Sequence, residues 1–414
     1  MNFGTLRVLG LITAAIPFAV FVPLARPQAA PAKSASKLAP RISEAAGYVF
    51  VSGQGPGGPN GIPEKFAEQA RQALDNVKAA LQGSGLTLDH LVYVQVYLED
   101  IRQVRELDEV FADYFLNDPP ARAVVGVAQV PLRSIQINAV AVRDLEGKRT
   151  ISVPGAKPSK AFSAGMLTHD QLFISTMQGR DPATGAVPQD PATQVNLALD
   201  GLKSVLEAAG LTMAHMVFVN PYMTSEISYG AMNEQYAKRF EFGNTPGRAT
   251  IEVATLPDGA HIAYTGIAVR DLSRRQAVRP KNMPPSPTAS PCVFAGDLLY
   301  CSAKSGFIPG PNGGVYFSST VDQTRQTMRN LLDNLEEAGL TFDQVVSTTI
   351  YLDDLADHAA FEGVYQRYFS TALPSQTILQ QRASGDRKAD SEGHFPTLEQ
   401  VSLVAVRTKS APQK

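Results

Sequence analysis

The chain is 414 residues long, 44% hydrophobic and 18% charged, and its 37 basic residues nearly balance 39 acidic ones for a net charge of -2. That apolar content suffices for about two to four packed domains and excludes a chain disordered throughout. There is no excess of lysine and arginine with which to grip a phosphate backbone or an anionic membrane, so no nucleic-acid partner is expected.

In chain order, the first feature is Arg7, then an apolar run from Val8 to Leu24, then small residues and prolines at Pro27, Ala29, Ala30 and Pro31. This reads as a secretory signal over residues 1–30 with cleavage near Ala29. The run is also close to the length of a membrane span, so an uncleaved anchor is the alternative, and only then is a membrane a partner. Either way an exported protein, periplasmic or secreted, is expected.

A repeat follows. The block "EQARQALDNVKAALQGSGLTLDHLVYVQVYLED" returns as "TQVNLALDGLKSVLEAAGLTMAHMVFVNPYMTS" and as "DQTRQTMRNLLDNLEEAGLTFDQVVSTTIYLDD". Gln69, Gln194 and Gln323 lead the blocks, and Gly85, Gly210 and Gly339 follow at one constant distance. In the first copy a hairpin, "GYVFVSGQ", precedes a helix whose apolar stripe is Phe66, Ala70, Ala73, Val77 and Leu81. The Gly-Leu-Thr stop supplies a glycine for the left-handed cap. Val92, Val94, Val96 and Leu98 then alternate with polar and aromatic residues as a strand does. A second helix carries Val104, Leu107, Phe111 and Phe115, and two strands end the copy at "INAVAVRD". The stripes Val195, Leu199, Leu202, Leu206 and Val321, Thr324, Met328, Leu331, Leu335 repeat the pattern. Domains are therefore expected over 40–145, 155–273 and 287–409.

The joining segments "EGKRTISVPGAKPSK" and "SRRQAVRPKNMPPSPTAS" have the proline content of extended connectors. In the third copy "CVFAGDLLYC" holds the only cysteines. A two-residue turn at Gly296 and Asp297 sets Ala295 against Leu298 and Cys292 against Cys301, a spacing suited to a bridge; two buried thiols are the alternative. Between the last two strands of that copy, "RASGDRKADSEGHFPT" is longer than such connections usually are and is read as running through solvent, with covering a site as the alternative.

The order hairpin, helix, strand, helix, strands places both helices on one face of a mixed sheet and leaves the other face to be covered. Three sheets closing inward about a pseudo-threefold axis would cover it. Separate beads, the alternative, would leave apolar faces in water.

The segments "VFVSGQ", "PPARAVVGVAQVP" and "IQINAVAVRD" resemble the RidA (YjgF, L-PSP) family of imine and enamine deaminases, whose pattern reads roughly SGQ, then PAR followed by VEVxxLP, then IEIEAIA. The likeness extends over nearly all of the chain after residue 40, once per copy. It implies an α+β fold of three tandem RidA-like, chorismate mutase-like domains forming an intramolecular pseudo-trimer in one monomer. It also implies clefts between neighbours, where an arginine grips a substrate carboxylate and a glutamate positions the water that hydrolyses a C=N bond. The expected function is hydrolytic deamination of a reactive imine, an enamine or a related small carboxylate-bearing metabolite, with no cofactor. A catalytically degenerate exported binding or scaffold protein is the alternative, and the family's older endoribonuclease label ranks last.

Carried over by position, the arginine after "PA" is Arg122 in the first copy and Arg248 in the second, while the third has Gln376. The glutamate of the last strand corresponds to Asn138, Thr265 and Ser402, none of them an acid. The hairpin serine is kept as Ser52, Ser175 and Ser302, followed only once by glycine and glutamine, at Gly53 and Gln54. The cleft-closing aromatic has its counterpart at Phe162, and the position two beyond the arginine is Val124 or Thr250. One cleft is thus expected to join Arg248, Ser175, Thr250, Thr265 and Phe162, and a second Arg122, Ser52, Gln54 and Asn138. Arg248, Arg122, Thr265 and Asn138 are the catalytic candidates and the others would bind substrate. For each arginine the alternative is an interface ion pair or a surface cation. Thr265 and Asn138 hydrogen-bond water without taking its proton at neutral pH, so general-base strength falls. Arg143, Arg270 and Arg407 recur after "AV" and are read as structural. The six histidines show no metal spacing, so no metal is expected, and neither a phosphate loop nor a Gly-x-Ser-x-Gly elbow is present.

Overall fold

The computed structural model describes residues 41–310 and 314–407, so the N-terminal run read as a signal or anchor lies outside the described residues. The first repeat contains β1 (Ile42–Ala45), β2 (Tyr48–Gln54), α1 (Phe66–Gln82), β3 (Leu91–Leu98), α2 (Val104–Tyr114), β4 (Ala121–Gly126) and β5 (Ile135–Val142). The second contains β6 (Arg149–Ile151), β7 (Gly165–Leu167), β8 (Gln171–Gln178), α3 (Pro191–Ala208), β9 (Met216–Met223), α4 (Tyr229–Ala237), β10 (Gly247–Arg248), β11 (Ile251–Glu252) and β12 (Ile262–Val269). The third contains β13 (Arg275–Val278), β14 (Cys292–Ala295), β15 (Leu298–Ser305), α5 (Thr320–Glu337), β16 (Val345–Leu352), α6 (His358–Tyr365), β17 (Ser375–Gln380) and β18 (Glu399–Val406).

The long helices end alike. Leu86, Leu211 and Leu340 donate their N–H groups to Leu81, Leu206 and Leu335, while the preceding Gly85, Gly210 and Gly339 take positive φ. This is the glycine-capped stop that the Gly-Leu-Thr signal implies. The sheets run β1-β2-β5-β3-β4, β6-β7-β8-β12-β9-β10 with β11 also on β9, and β13-β14-β15-β18-β16-β17. Pairing is antiparallel except where β4, β10, β11 and β17 join their sheets in parallel. The joining segments do more than connect: they contribute β6 and β13, edge strands of the sheets that follow them.

Each repeat buries its helices' apolar stripes in a core of its own. A fourth cluster draws on all three repeats, with Tyr93, Phe173, Phe218, Tyr300 and Val346 among its members. At its centre Tyr97, Tyr222 and Tyr351, one from the same place in each repeat, are almost wholly buried. Gln95 joins two of them, accepting from the Tyr97 hydroxyl at 3.3 Å and donating to that of Tyr222 at 2.9 Å, and burial drives all three well above the usual phenol range. Around the edge β4 packs on β8, β10 on β15 and β17 on β2, so the first repeat meets the second, the second the third, and the third the first. The sheets therefore close inward as expected, because their inner faces are too apolar to be left in water.

In the third repeat Ala295 pairs with Leu298 and Cys292 with Cys301, and the two cysteines are disulfide-bonded within the helix-side core. The polar excursion is largely exposed, as its solvent reading expects, but it is pinned to the domain at a few points. Arg387 reaches Asp353 at 3.0 Å and Asp357 at 2.7 Å, Ser384 Oγ donates to the Asp353 carbonyl, and the Pro396 carbonyl accepts from Gln323. Asp353 is buried and needs a cation, and the excursion brings one back to it. On β18, Glu399 is buried beneath α5, with Oε1 accepting from Thr327 and Oε2 unpartnered, and burial pushes its carboxyl from 4.5 up to about 8.

Replacing both cysteines by alanine removes a cross-link spanning 9 positions; denaturant unfolding is expected to show a loss of about 2–3 kcal/mol. Glu399 holds its proton more tightly folded than unfolded. Its contribution is therefore complete below about pH 4.5 and lost as pH rises through about 8. Thermal unfolding of Glu399→Gln is expected to lose that part of the pH dependence and to exceed the parent's midpoint at alkaline pH.

Candidate active site at the seams between repeats

One hydrogen bond recurs at every seam. The backbone N–H of Arg122 donates to Ser175 Oγ at 2.7 Å, that of Arg248 to Ser302 Oγ at 2.8 Å, and that of Gln376 to Ser52 Oγ at 3.0 Å. Ser175 and Ser302 pass their own protons to the carbonyls of Ser163 and Ser290. The serine kept in all three hairpins thus ties its strand to the preceding repeat. This corrects the substrate-binding role expected of Ser175, whose hydroxyl is wholly buried with both functions engaged, whereas Ser52 accepts the third of these seam bonds and lines a seam cavity. It also corrects the partition of residues, since each seam joins the arginine position of one repeat to the serine of the next.

The seam of Arg122 is closed. Its guanidinium is ion-paired with Asp108 of α2, and its Cζ stands 4.7 Å from the Phe111 ring centroid and 4.8 Å from that of Phe162. The side chain is 3% exposed, and burial lowers its pKa while Asp108 opposes that. Phe162, expected beside Arg248, covers Arg122 instead. The ion pair lies within the first repeat rather than across the interface, and the anchoring role expected of Arg122 is corrected accordingly. The guanidinium's charge is already met by Asp108, and two aromatic rings stand against it.

Arg248 lies differently. It is half-buried, its Nη1 donates to the neutral Asn233 at 2.7 Å, and its Cζ stands 5.1 Å from the Tyr236 ring. It opens on a cavity of about 340 Å³ shared with Tyr229, Thr250, Ser302, Lys304 and Gln400. Thr250, expected here, is in place, and its Oγ1 is buried without a partner. Lys304 makes no hydrogen bond or ion pair among the described residues, and burial lowers the pKa of its amine. No carboxylate lines the cavity. Glu252, the nearest candidate from sequence, pairs with Arg382 at 3.1 Å.

The third seam lacks an arginine at the family position. Gln376 faces Ser52, Gln54 and Gln136 across a cavity of about 260 Å³, to which Arg41 contributes the cation. Gln54, expected beside Arg122, belongs here and donates to the Ser52 carbonyl at 2.9 Å.

Thr265 and Asn138 line neither seam cavity, a correction to both catalytic assignments. Thr265 Oγ1 donates to the Ile174 carbonyl and meets the Tyr93 hydroxyl at 2.9 Å, deep in the shared core. Asn138 donates to Gln95 at 3.2 Å and lines a central space of about 90 Å³ with Asn220, Thr349, Tyr351 and Ser402. The polar residues of β5 and β18 that reach seam cavities are Gln136 and Gln400, two positions before Asn138 and Ser402. Strand alternation puts both positions on one face. Only the neighbour's edge decides which is covered. Lys304 and Arg41 were missed because nothing in their local pattern marks them. Arg143 pairs with Glu44 at 2.6 Å, Arg270 caps the carbonyls of Thr168 and His169, and the Arg407 guanidinium sits 3.9 Å from the Phe294 ring centroid, so all three have structural partners. Among the described residues no cluster of His, Cys, Asp and Glu could hold a metal ion.

A family model described as Endoribonuclease L-PSP matches residues 29–143, 154–270 and 282–388. The chain is similar to a RutC family protein of Aquifex aeolicus, at 40% identity over 105 residues, covering 24% of this chain and 84% of that protein. It is similar to the 2-iminobutanoate/2-iminopropanoate deaminase of Rattus norvegicus at 34% over 111 residues, 27% of this chain and 80% of that one. Among solved structures, the YjgF gene product from E. coli shares 33% identity over 25% of this chain and 87% of its own, with a TM-score of 0.25.

The two arginines are expected to separate in unfolding experiments. Asp108→Ala leaves a buried guanidinium unpaired and is expected to cost about 1–3 kcal/mol. Arg248→Ala, beside an open cavity, is expected to shift stability by no more than about 0.5 kcal/mol.

Proposed function

Because the chain belongs to the Endoribonuclease L-PSP family, with three copies of its domain in one polypeptide, we propose that it binds a small carboxylate-bearing imine in the Arg248 seam and hydrolyses its C=N bond there. One observation carries this reading: Arg248 is the family-position arginine whose guanidinium faces a cavity with only neutral hydrogen-bond partners. A guanidinium binds a carboxylate through two parallel hydrogen bonds. With that end held, the imine carbon falls toward Thr250 and Gln400, whose polar groups can hold a water. A protonated imine needs no strong base. Water adds to the carbon, one of its protons passes to the nitrogen, and as the C–N bond breaks the remaining hydroxyl proton follows to the departing amine, leaving a carbonyl and ammonium with atoms and charge balanced. The rat relative's name as a 2-iminobutanoate/2-iminopropanoate deaminase supports the reaction class. The disulfide in the third repeat supports export to an oxidising compartment.

A second reading, ligand binding without catalysis, is favoured by the lack of any carboxylate lining the cavity. Ammonia release from freshly generated 2-iminobutanoate separates the two. The deaminase reading expects acceleration that falls roughly 10- to 100-fold in Arg248→Ala and is unchanged in Gln376→Ala. Tight binding of 2-oxobutanoate without acceleration would favour the second reading, and neither effect would remove both.

A further inference from the structure

The Arg248 cavity carries more positive charge than one carboxylate requires. Arg248 comes from the second repeat and Lys304 from the third, and both line the same space of about 340 Å³. The polar contacts of Arg248 are to Asn233 Oδ1 at 2.7 Å and Met232 Sδ at 3.8 Å, neither of them charged. Lys304 stands on β15 with no hydrogen-bond or ion-pair partner among the described residues, and burial alone acts on its pKa, lowering it. Glu252, on the strand next to Arg248, is engaged with Arg382. A partly buried ammonium with no counter-charge costs free energy unless something supplies one. The lysine is peculiar to this seam, because the positions two beyond the other seam serines hold Gln54 and Met177.

Resting on the reading that Arg248 holds a substrate carboxylate, we infer that this seam selects small dicarboxylates, Arg248 taking the carboxylate beside the 2-oxo or 2-imino carbon and Lys304 the distal one. A five-carbon chain fits a cavity of this size. Thr250 Oγ1, buried without a partner, is left to the group between them. The second anionic group makes the ligand's charge match that of its walls, and neutral or cationic tails bind more weakly because they leave the ammonium without a partner.

The test compares 2-oxoglutarate with 2-oxopentanoate, which differ only in a terminal carboxylate against a methyl, by calorimetry on the full chain. The expected result is roughly 10-fold or greater preference for 2-oxoglutarate, narrowing as salt is raised. In Lys304→Met the two ligands should bind within about twofold of each other, and Lys304→Gln serves if the first variant fails to fold. Arg248→Ala should weaken both. Measurable binding of both ligands with no preference overturns the dicarboxylate assignment and leaves the Arg248 reading standing. A preference that survives both lysine variants also overturns it, and binding of neither ligand removes the Arg248 reading and this inference together.

Discussion

A sheet with helices on one face has a second face that must leave water, and this constraint organises the whole molecule. Each repeat covers its helix side almost wholly with its own side chains, and none covers its other face alone. The three inner faces cover one another, with Tyr97, Tyr222 and Tyr351 meeting at the centre and Phe173, Phe218 and Tyr300 filling the space around them. Burial of aromatic surface on this scale outweighs any single polar contact at the rim.

Closing the ring creates the seams, and each seam places the arginine position of one repeat against the hairpin serine of the next. The repeated backbone-to-serine bond fixes that register at all three seams. Three separate identical chains would make three identical seams. Fusion in one polypeptide allows each to have its own side chains, and they differ here. The first is sealed by Phe162 and Asp108, the second keeps an open arginine and adds Lys304, and the third has glutamine where the arginine stood. Chemistry that needs an accessible guanidinium at the family position is therefore concentrated at the second seam.

The candidate site was only partly legible beforehand. Arg248 and Thr250 belong together as expected, because they sit two apart on one segment of one repeat. Ser175 and Phe162 were grouped with Arg248 because they lie in the same copy, yet a seam takes its second half from the following copy, where Ser302 and Lys304 stand. Thr265 and Asn138 occupy the right strands and the right face. Their depth along the strand, measured against a neighbour's edge, puts them in the core. The excursion illustrates the same limit: it is largely exposed, as its polar composition implies, but the point where it is pinned depends on Asp353, a buried acid distant in sequence.

The sequence by itself determined the threefold repetition, the order of elements, the apolar stripes, the glycine-capped helix ends and the hairpin register that sets Cys292 against Cys301. All of these rest on local periodicity and turn chemistry, which act within a few residues. Only the tertiary structure decided which repeat follows which around the ring, which arginine is enclosed and which is open, and which lysine joins it. Those depend on side chains brought together from segments far apart in the chain, where burial and charge compensation between copies, rather than spacing along one of them, set the outcome.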